Sequence, residues 1–195
     1  MPCACWKSEN MAYKAEKVVG IALSQVGYQE KETNEYLDHD TQNAGDENYT
    51  KYARDLDRIN FYNGNKNGFA WCDVFVDWCF VKAFGERDAL KMTFQPALSM
   101  MNKGAGCRYS FGYYQDKKRI FAQPQLGDQV FFYAEDGVSI CHTGLVWDVD
   151  ATYVYTVEGN TSHASGVVAN GGEVCRKKYL LTDKRLAGYG RPKYE

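Results

Sequence analysis

The first half of the chain places hydrophobic residues at every third or fourth position, which is the spacing of one buried helix face. A first run of this kind covers residues 11–26 and stops at Gly27, and a second covers residues 71–84 and stops at Gly85. Glycine directly after a helical run favours a C-terminal end at that point. Residues 1–10 show no such period, and we expect a loose tail there. Two main helices are therefore predicted in this half.

The rest of the first half divides into two shorter helices and two stretches without periodicity. A short helix is predicted over residues 49–59, capped by Asn48, and another over residues 96–104, with Pro in its first turn and Gly at its end. Residues 29–47 are polar and acidic, and we expect a long surface loop, which is uncommon unless the loop has a function. Residues 105–123 are aromatic and are predicted to be irregular.

After Pro124 the pattern changes to short runs rich in Val, Phe, Tyr and Thr, separated by Gly, Asp and Asn. Such runs are typical of β-strands. The predicted strands cover residues 129–134, 142–149, 153–158, 166–169 and 174–180. Helices followed by a run of hairpin-connected strands indicate an α+β protein. We therefore expect N-terminal helices packed on a C-terminal antiparallel sheet of about five or six strands, in a single domain over residues 11–195.

Composition agrees with one folded domain. The chain has 195 residues, of which 45% are hydrophobic and 15% aromatic, enough for a full core. A formal net charge of −2 gives no basic field, so a nucleic-acid partner is not expected. No apolar run reaches the ~18 residues of a membrane span. The first ten residues lack the apolar segment of a signal peptide, so we expect synthesis in the cytoplasm. The oligomeric state is left open.

The cysteine pattern indicates reduced thiols, one of them in a distinctive position. Seven cysteines form no CxxC pair, and Cys72 and Cys79 lie two turns apart on one helix, too far to be bridged. Cys72 falls in the first turn of the predicted helix 71–84, directly after a Gly- and Asn-rich stretch. Unpaired N–H groups and the positive end of the helix dipole favour thiolate at such a position. The alternative is that Cys72 is a small, inert core residue.

Three polar residues of the strand half are candidate partners of that thiol. His142 begins one predicted strand, Glu158 ends the next, and Asn160 follows two residues later. Because neighbouring antiparallel strands have paired ends, His142 and Glu158 are expected at the same edge of the sheet. A carboxylate there can hold one imidazole nitrogen and leave the other free to act on a thiol. If the helix with Cys72 packs on this sheet, nucleophile, base and orienting group come together.

The acidic loop contains a candidate calcium site. Residues 38–46 carry oxygen ligands at alternating positions, as a calcium loop does, and Asp38, Asp40 and Asp46 are the expected carboxylate ligands. The glycine is displaced from its usual place and no Glu stands at the twelfth position. An ordinary acidic loop is the alternative.

Four segments together carry a family pattern. Residues 70–79, around Cys72, look like the nucleophile helix of CHAP domains, the cysteine- and histidine-dependent amidohydrolases/peptidases. Residues 127–132 resemble the first central strand of that family. Residues 142–146 are similar to its histidine strand, and residues 157–161 are similar to its Glu-x-Asn segment.

The resemblance covers about residues 12–192, and the closing residues 188–192 look like those of CHAP lysins from clostridial-type prophages. It implies a papain-like fold and cleavage of amide bonds in bacterial peptidoglycan by a phage or prophage endolysin, which would act on the wall after release and require no cofactor. By this resemblance Cys72 is the nucleophile, His142 the general base and then acid, and Glu158 the orienting carboxylate. Asn160 is a fourth, supporting residue.

The substrate is expected to contact the cleft around these residues. The predicted contact residues are Trp71, Tyr113, Tyr114 and Thr143. Two alternatives to a wall hydrolase stay open: an amidase or peptidase toxin of the same fold, and a catalytically inactive wall-binding module. The sequence also leaves open whether the N-acetylmuramoyl-L-alanine bond or a peptide bond is cut.

Overall fold

A computed structural model describes residues 4–96 and 104–194 of the chain, with side chains described from Lys14 onward. The helices in this part are α1 (Ala4–Leu23), α2 (Lys51–Arg58), α3 (Cys72–Phe84), α4 (Glu86–Met92) and α5 (Cys107–Asp116). The strands are β1 (Ile120–Phe121), β2 (Gln129–Tyr133), β3 (Ile140–Val149), β4 (Tyr153–Thr161), β5 (Glu173–Leu180) and β6 (Leu186–Gly190). They form one antiparallel sheet in the order β1-β6-β2-β3-β4-β5. The α+β prediction, with helices before a sheet of five or six strands, is confirmed.

The helices differ from the prediction mainly at their ends. Helix α1 begins at Ala4, so residues 4–10 are helical and the predicted loose tail is wrong for them. The reason is that no Gly or Pro interrupts the chain between Ala4 and Gly20. The cap of α2 is Thr50, whose hydroxyl oxygen accepts from the Ala53 N–H at 3.1 Å, and not Asn48.

Two helices were missed by the periodicity argument. Helix α4 follows α3 directly, and α5 occupies most of the stretch that was predicted to be irregular. The buried face of α5 consists of Cys107, Ser110 and Tyr114, a helical spacing that contains only one large apolar residue. The hydrophobic period is therefore weak there. The predicted helix 96–104 lies almost entirely outside the described residues.

Four of the five predicted strands are confirmed as β2 to β5, with small differences at their ends. The remaining predicted strand, over residues 166–169, is wrong, because Gly166 takes a left-handed φ of 75° that an extended strand does not allow. Strand β6 was not predicted, since its glycines hide the usual alternation. An added methyl group at Gly188 would lie 2.8 Å from Ile120 Cγ2, so this glycine lets β1 approach β6.

Helix α3 is the centre of the core. Every residue from Cys72 to Phe80 is buried. The helix packs against α1, α2 and α4 and against strands β3 and β4. Its contact with β4 is close at Gly159, where an added methyl group would lie 2.7 Å from both Phe75 Cβ and Trp71 Cζ3. The start of α3 is therefore held directly against the strand that carries Glu158. Among the described residues, no helix combines the length and the hydropathy that crossing a membrane needs.

Candidate active site

Cys72 is the first residue of α3, and the N-terminal end of this helix has no side-chain cap. The preceding residue, Trp71, accepts the Phe75 N–H through its carbonyl oxygen at 2.9 Å but offers no capping side-chain hydrogen bond. The first N–H groups of a helix have no acceptor within the helix. The Cys72 residue is 6% exposed. It therefore combines a nearly buried thiol with unsatisfied backbone donors and the positive end of a helix dipole.

His142 and Glu158 face each other across neighbouring strands, as predicted. His142 Nε2 lies 2.9 Å from Glu158 Oε2, and both side chains are fully buried. The strand register pairs Leu145 with Val157, which sets Glu158 beside Gly144. A methyl group added at Gly144 would lie 2.5 Å from Glu158 Cγ. The absence of a side chain at Gly144 therefore makes room for Glu158 to lean across β3 to the imidazole two residues away.

Glu158 is held by two further donors that sequence reasoning missed. The Thr156 hydroxyl donates to Glu158 Oε1 at 2.5 Å, and the Tyr179 hydroxyl donates to Oε2 at 3.2 Å. Burial, together with the nearby Glu158 carboxylate, raises the pKa of Tyr179 well above its ordinary value, so the hydroxyl stays protonated as a donor. Thr156 was identifiable in principle, because it lies two residues before Glu158 and so on the same face of β4. Tyr179 comes from β5 and required the sheet order.

The two nitrogens of His142 have different environments. Nε2 lies against the Glu158 carboxylate, while Nδ1 is buried and has no hydrogen-bond partner among the described residues. A carboxylate accepts only, so Nε2 carries the proton of the neutral ring and Nδ1 keeps its lone pair. The Phe132 ring, with its centroid 5.8 Å from the imidazole centroid, packs beside the histidine and restricts its orientation. The arrangement provides an oriented base with one available nitrogen.

Asn160 lies in the bulge of β4 between Glu158 and Thr161, after which Thr161 pairs with Glu173 of β5. Its φ is 55°, in the left-handed region, and its side chain is fully buried. The backbone carbonyl oxygen of Asn160 accepts the Gly171 N–H at 3.0 Å. Neither amide atom of the side chain has a hydrogen-bond partner among the described residues. Glu158, and not Asn160, is therefore the residue hydrogen-bonded to the imidazole in this structure.

Asp73, the residue after Cys72, ties α3 to α5 and to the sheet. Its Oδ2 accepts from the Gly106 N–H at 3.2 Å and from the Ser110 hydroxyl at 2.8 Å. Its Oδ1 accepts from the Gln129 amide at 2.9 Å. Burial raises the pKa of Asp73, and these three donors lower it in part. The carboxylate is thus occupied by neutral donors that fix the first turn of α3.

A comparison with protein families identifies the domain. Residues 64–160 match the model of the CHAP domain, a span that contains Cys72, His142, Glu158 and Asn160. The chain therefore contains a CHAP domain. The CHAP domain has a papain-like fold, which agrees with the helices and the six-stranded sheet described above. CHAP domains are generally hydrolases, amidases or peptidases, and membership points to peptidoglycan as the substrate class. No significant match was found among curated proteins or among solved structures.

Three of the four residues predicted to contact the substrate of this CHAP domain are fully buried, and that prediction is wrong for them. Trp71 has no exposed surface, and its indole N–H donates to Glu30 Oε2 at 2.6 Å. Tyr114 packs edge-on against Phe94 in the core.

Thr143 is the third buried residue of this set. Its hydroxyl donates to the Val130 carbonyl oxygen at 2.7 Å and accepts from the Gln129 amide at 3.1 Å. The fourth predicted contact, Tyr113, is half-buried and stays a prediction.

The predicted calcium ligands of the CHAP domain are not gathered into one group in the described part of the chain. The two oxygens of Asp38 each lie 2.7 Å from the Arg54 guanidinium, which lowers the pKa of that carboxyl. Asp40 lies 3.7 Å from Lys51 Nζ. Asp46 lies instead among exposed carboxylates. Those are Glu32 and Glu47. The placement of these residues therefore does not support the predicted ligand set.

Proposed function

We propose that this CHAP domain is a cysteine-dependent amidase or peptidase that cleaves an amide bond of bacterial peptidoglycan, as the lytic enzyme of a phage or prophage. The observation that carries the proposal is the imidazole of His142, bound through Nε2 to Glu158 and left with a lone pair on Nδ1. It lies in the domain whose helix α3 begins with Cys72. The enzyme would act on the wall after leaving the cytoplasm.

In the proposed reaction, His142 Nδ1 takes the proton of Cys72 and the thiolate attacks the carbonyl carbon of the scissile amide. The tetrahedral oxyanion lies at the N-terminal end of α3, where the Cys72 N–H is a donor. The imidazolium, stabilised by Glu158, returns the proton to the leaving amine. A thioester to Cys72 remains. Water, activated by the same imidazole, hydrolyses it and restores the thiol.

The uncapped start of α3 supports this role. A helix that is only structural gains from a Ser, Thr, Asp or Asn cap, worth about 0.5–2 kcal/mol. Trp71 supplies no such bond. The donors of the first turn thus remain for the oxyanion, at the electropositive end of the helix.

The test of the nucleophile uses two cysteines of one helix. Cys72→Ala and Cys72→Ser should fold normally and lose wall lysis by about a thousandfold or more, because no thioester can form. The matched control is Cys79→Ala, a fully buried core position of α3, which should cost about 1 kcal/mol of unfolding free energy and keep activity. Lysis of purified walls and urea unfolding measure both. Retained lysis in Cys72→Ala would contradict the assignment.

Two further measurements narrow the function. Iodoacetamide should alkylate Cys72 at neutral pH ahead of Cys79, because the nucleophile of an active enzyme is a reactive thiol. An inactive binding module has no need of such a thiol. Mass spectrometry of products from purified peptidoglycan then identifies the bond. A new alanine N-terminus indicates an amidase that cuts after muramic acid, and a new cross-bridge terminus indicates an endopeptidase.

A further inference from the structure

A second thiol lies beside Cys72 and has no part in the proposed reaction. Cys107 is the first residue of α5 and is 7% exposed. Its Sγ lies 3.7 Å from the carbonyl oxygen of Ile140, two residues before His142 in β3. Cys107 is therefore placed next to the strand end that presents the imidazole.

The same thiol is held close to the start of α3. The residue before it, Gly106, and the residue three positions after it, Ser110, both donate to Asp73, which follows Cys72 directly. The neighbouring Cys72 side chain is the first cause that raises the pKa of the Cys107 thiol, and burial is the second. The two helix starts therefore bring two thiols together, and both are free.

We infer that Cys72 and Cys107 form a redox pair that hydroperoxides oxidise to a reversible disulfide. The pairing itself follows from the placement of the two helix starts. Its effect on lysis rests on the proposed function, because only then does the disulfide remove the nucleophile.

The oxidation proceeds in two balanced steps. The Cys72 thiolate attacks one peroxide oxygen, breaks the O–O bond and becomes a sulfenic acid, while the other oxygen leaves as water or an alcohol. Cys107 sulfur then attacks the sulfenic sulfur and the S–O bond breaks. The leaving hydroxide takes the Cys107 proton as water. Two thiols have lost two electrons to one peroxide, and a dithiol restores them by thiol–disulfide exchange.

Other cysteines fit this role less well. Cys79 is seven residues along α3, which is about 10 Å further from the helix start. Cys141 interacts with Cys107 through charge only, and its own sulfur lies 3.8 Å from the Arg185 guanidinium. Cys141 lies between Ile140 and His142, at the irregularity in the pairing of β2 with β3. Cys141 is therefore the competing partner, and its variant is the matched control.

The cross-link is tested independently of activity. The full-length chain is treated with hydrogen peroxide, blocked with iodoacetamide and digested with trypsin. The expected product joins the peptide 67–82, through Cys72, to the peptide 104–108, through Cys107. Fragmentation must separate Cys72 from Cys79, which share a peptide. A Cys107–Cys141 product, or no linked peptide at all, would overturn the inference.

Activity then separates the inference from the proposed function. Peroxide should lower lysis by the parent and by Cys141→Ser at least about tenfold, and dithiothreitol should restore it. Untreated Cys107→Ser should lyse walls as the parent does. After peroxide it should recover poorly, because without Cys107 the sulfenic acid of Cys72 is oxidised further. Equal recovery of Cys107→Ser and the parent contradicts the redox pair. Activity in Cys72→Ser would instead refute the proposed function, whatever cross-link forms.

Discussion

Glu158 and Asp73 are two buried carboxylates with the same number of hydrogen-bond donors and different consequences. Glu158 accepts from Thr156 and Tyr179 and is bound to the imidazole of His142. The three donors of Asp73 are a backbone N–H, a hydroxyl and an amide, which neither gain nor lose a proton near neutral pH. Saturation with hydrogen bonds therefore does not distinguish a functional carboxylate from a structural one. The functional carboxylate is distinguished by a partner that can change its charge, which here is the imidazole of His142.

Between these two carboxylates, Glu158 gives the larger expected effect on activity, through the variant Glu158→Gln. Glutamine still accepts a hydrogen bond but does not stabilise the imidazolium by charge, so turnover should fall by about a hundredfold or more with the fold intact.

Kinetics on one defined muropeptide measure the turnover of Glu158→Gln. Glu30→Gln is the control, since Glu30 is also buried but is bound to the Trp71 indole and not to an imidazole. An unimpaired Glu158→Gln enzyme would mean that Cys72 and His142 act as a dyad, with Asn160 or another group as the orienting residue.

Asp73→Asn should act on stability rather than on the chemical step. An amide accepts with one atom only, so at least one of the donors around Asp73 loses its acceptor, at a cost of about 1–3 kcal/mol. Circular dichroism during urea unfolding measures this cost, and turnover of the folded fraction should stay close to that of the parent. If turnover falls as far as in Glu158→Gln while the fold holds, Asp73 takes part in the chemistry and the contrast between the two carboxylates fails.

The same variant tests the pH dependence. Burial raises the folded-state pKa of Asp73 above its ordinary value of 3.8. At pH values between the ordinary pKa and the raised folded-state pKa, the folded state still binds a proton that the unfolded state has released. The stability due to Asp73 therefore falls as pH rises. Asparagine does not titrate. The stability difference between parent and Asp73→Asn should therefore be largest at low pH and shrink as pH rises through this window. A difference that grows with pH would contradict the raised pKa.

Tyr179→Phe should have a smaller effect on the Glu158 side. It removes one donor from Glu158 Oε2 and leaves the imidazole in place, so we expect a loss of about 1 kcal/mol in stability and a several-fold lower turnover. Tyr189→Phe is the matched control, because the buried hydroxyl of Tyr189 has no hydrogen-bond partner among the described residues. If both variants lose the same turnover, packing and not the bond to Glu158 explains the effect of Tyr179.

The smallest effect is expected from calcium, which concerns carboxylates outside these two buried groups. Asp38 is bound by Arg54 and Asp40 lies near Lys51, so millimolar calcium added to EDTA-treated protein should leave the melting temperature nearly unchanged. A concentration-dependent rise would show that the loop rearranges to free Asp38, and would restore the ligand set predicted from the sequence.

The sequence predicted those parts of the site that depend on local patterns. Cys72 stood out because a hydrophobic period begins there, and His142 and Glu158 because strand ends pair across a short turn. Residues whose role depends on distant contacts were missed. Tyr179 donates to Glu158 from β5. Cys107 lies at the start of α5, which is hydrogen-bonded to Asp73 beside Cys72, and the buried face of α5 has little hydrophobic signal.

The errors in the predicted substrate contacts have a related cause. Aromatic residues next to a nucleophile suit the wall of a cleft and the inside of a core equally well, and residue type does not separate the two. Trp71 turns inward at the start of the buried helix α3, and Tyr114 lies on the one buried face of α5. Their burial follows from the tertiary arrangement, which periodicity does not report.

Two glycines, Gly144 and Gly159, should tolerate almost no substitution. Neither has a reacting group, yet a single methyl at Gly144 would overlap Glu158, and one at Gly159 would overlap Trp71 and Phe75. At both glycines the neighbouring groups lie so close that only a hydrogen atom fits on the Cα atom, and a methyl group does not. In a library of random variants, these positions should be as intolerant as the nucleophile itself. A graft of this site onto another scaffold must therefore reproduce the close backbone approaches at these two glycines as well as the reactive side chains.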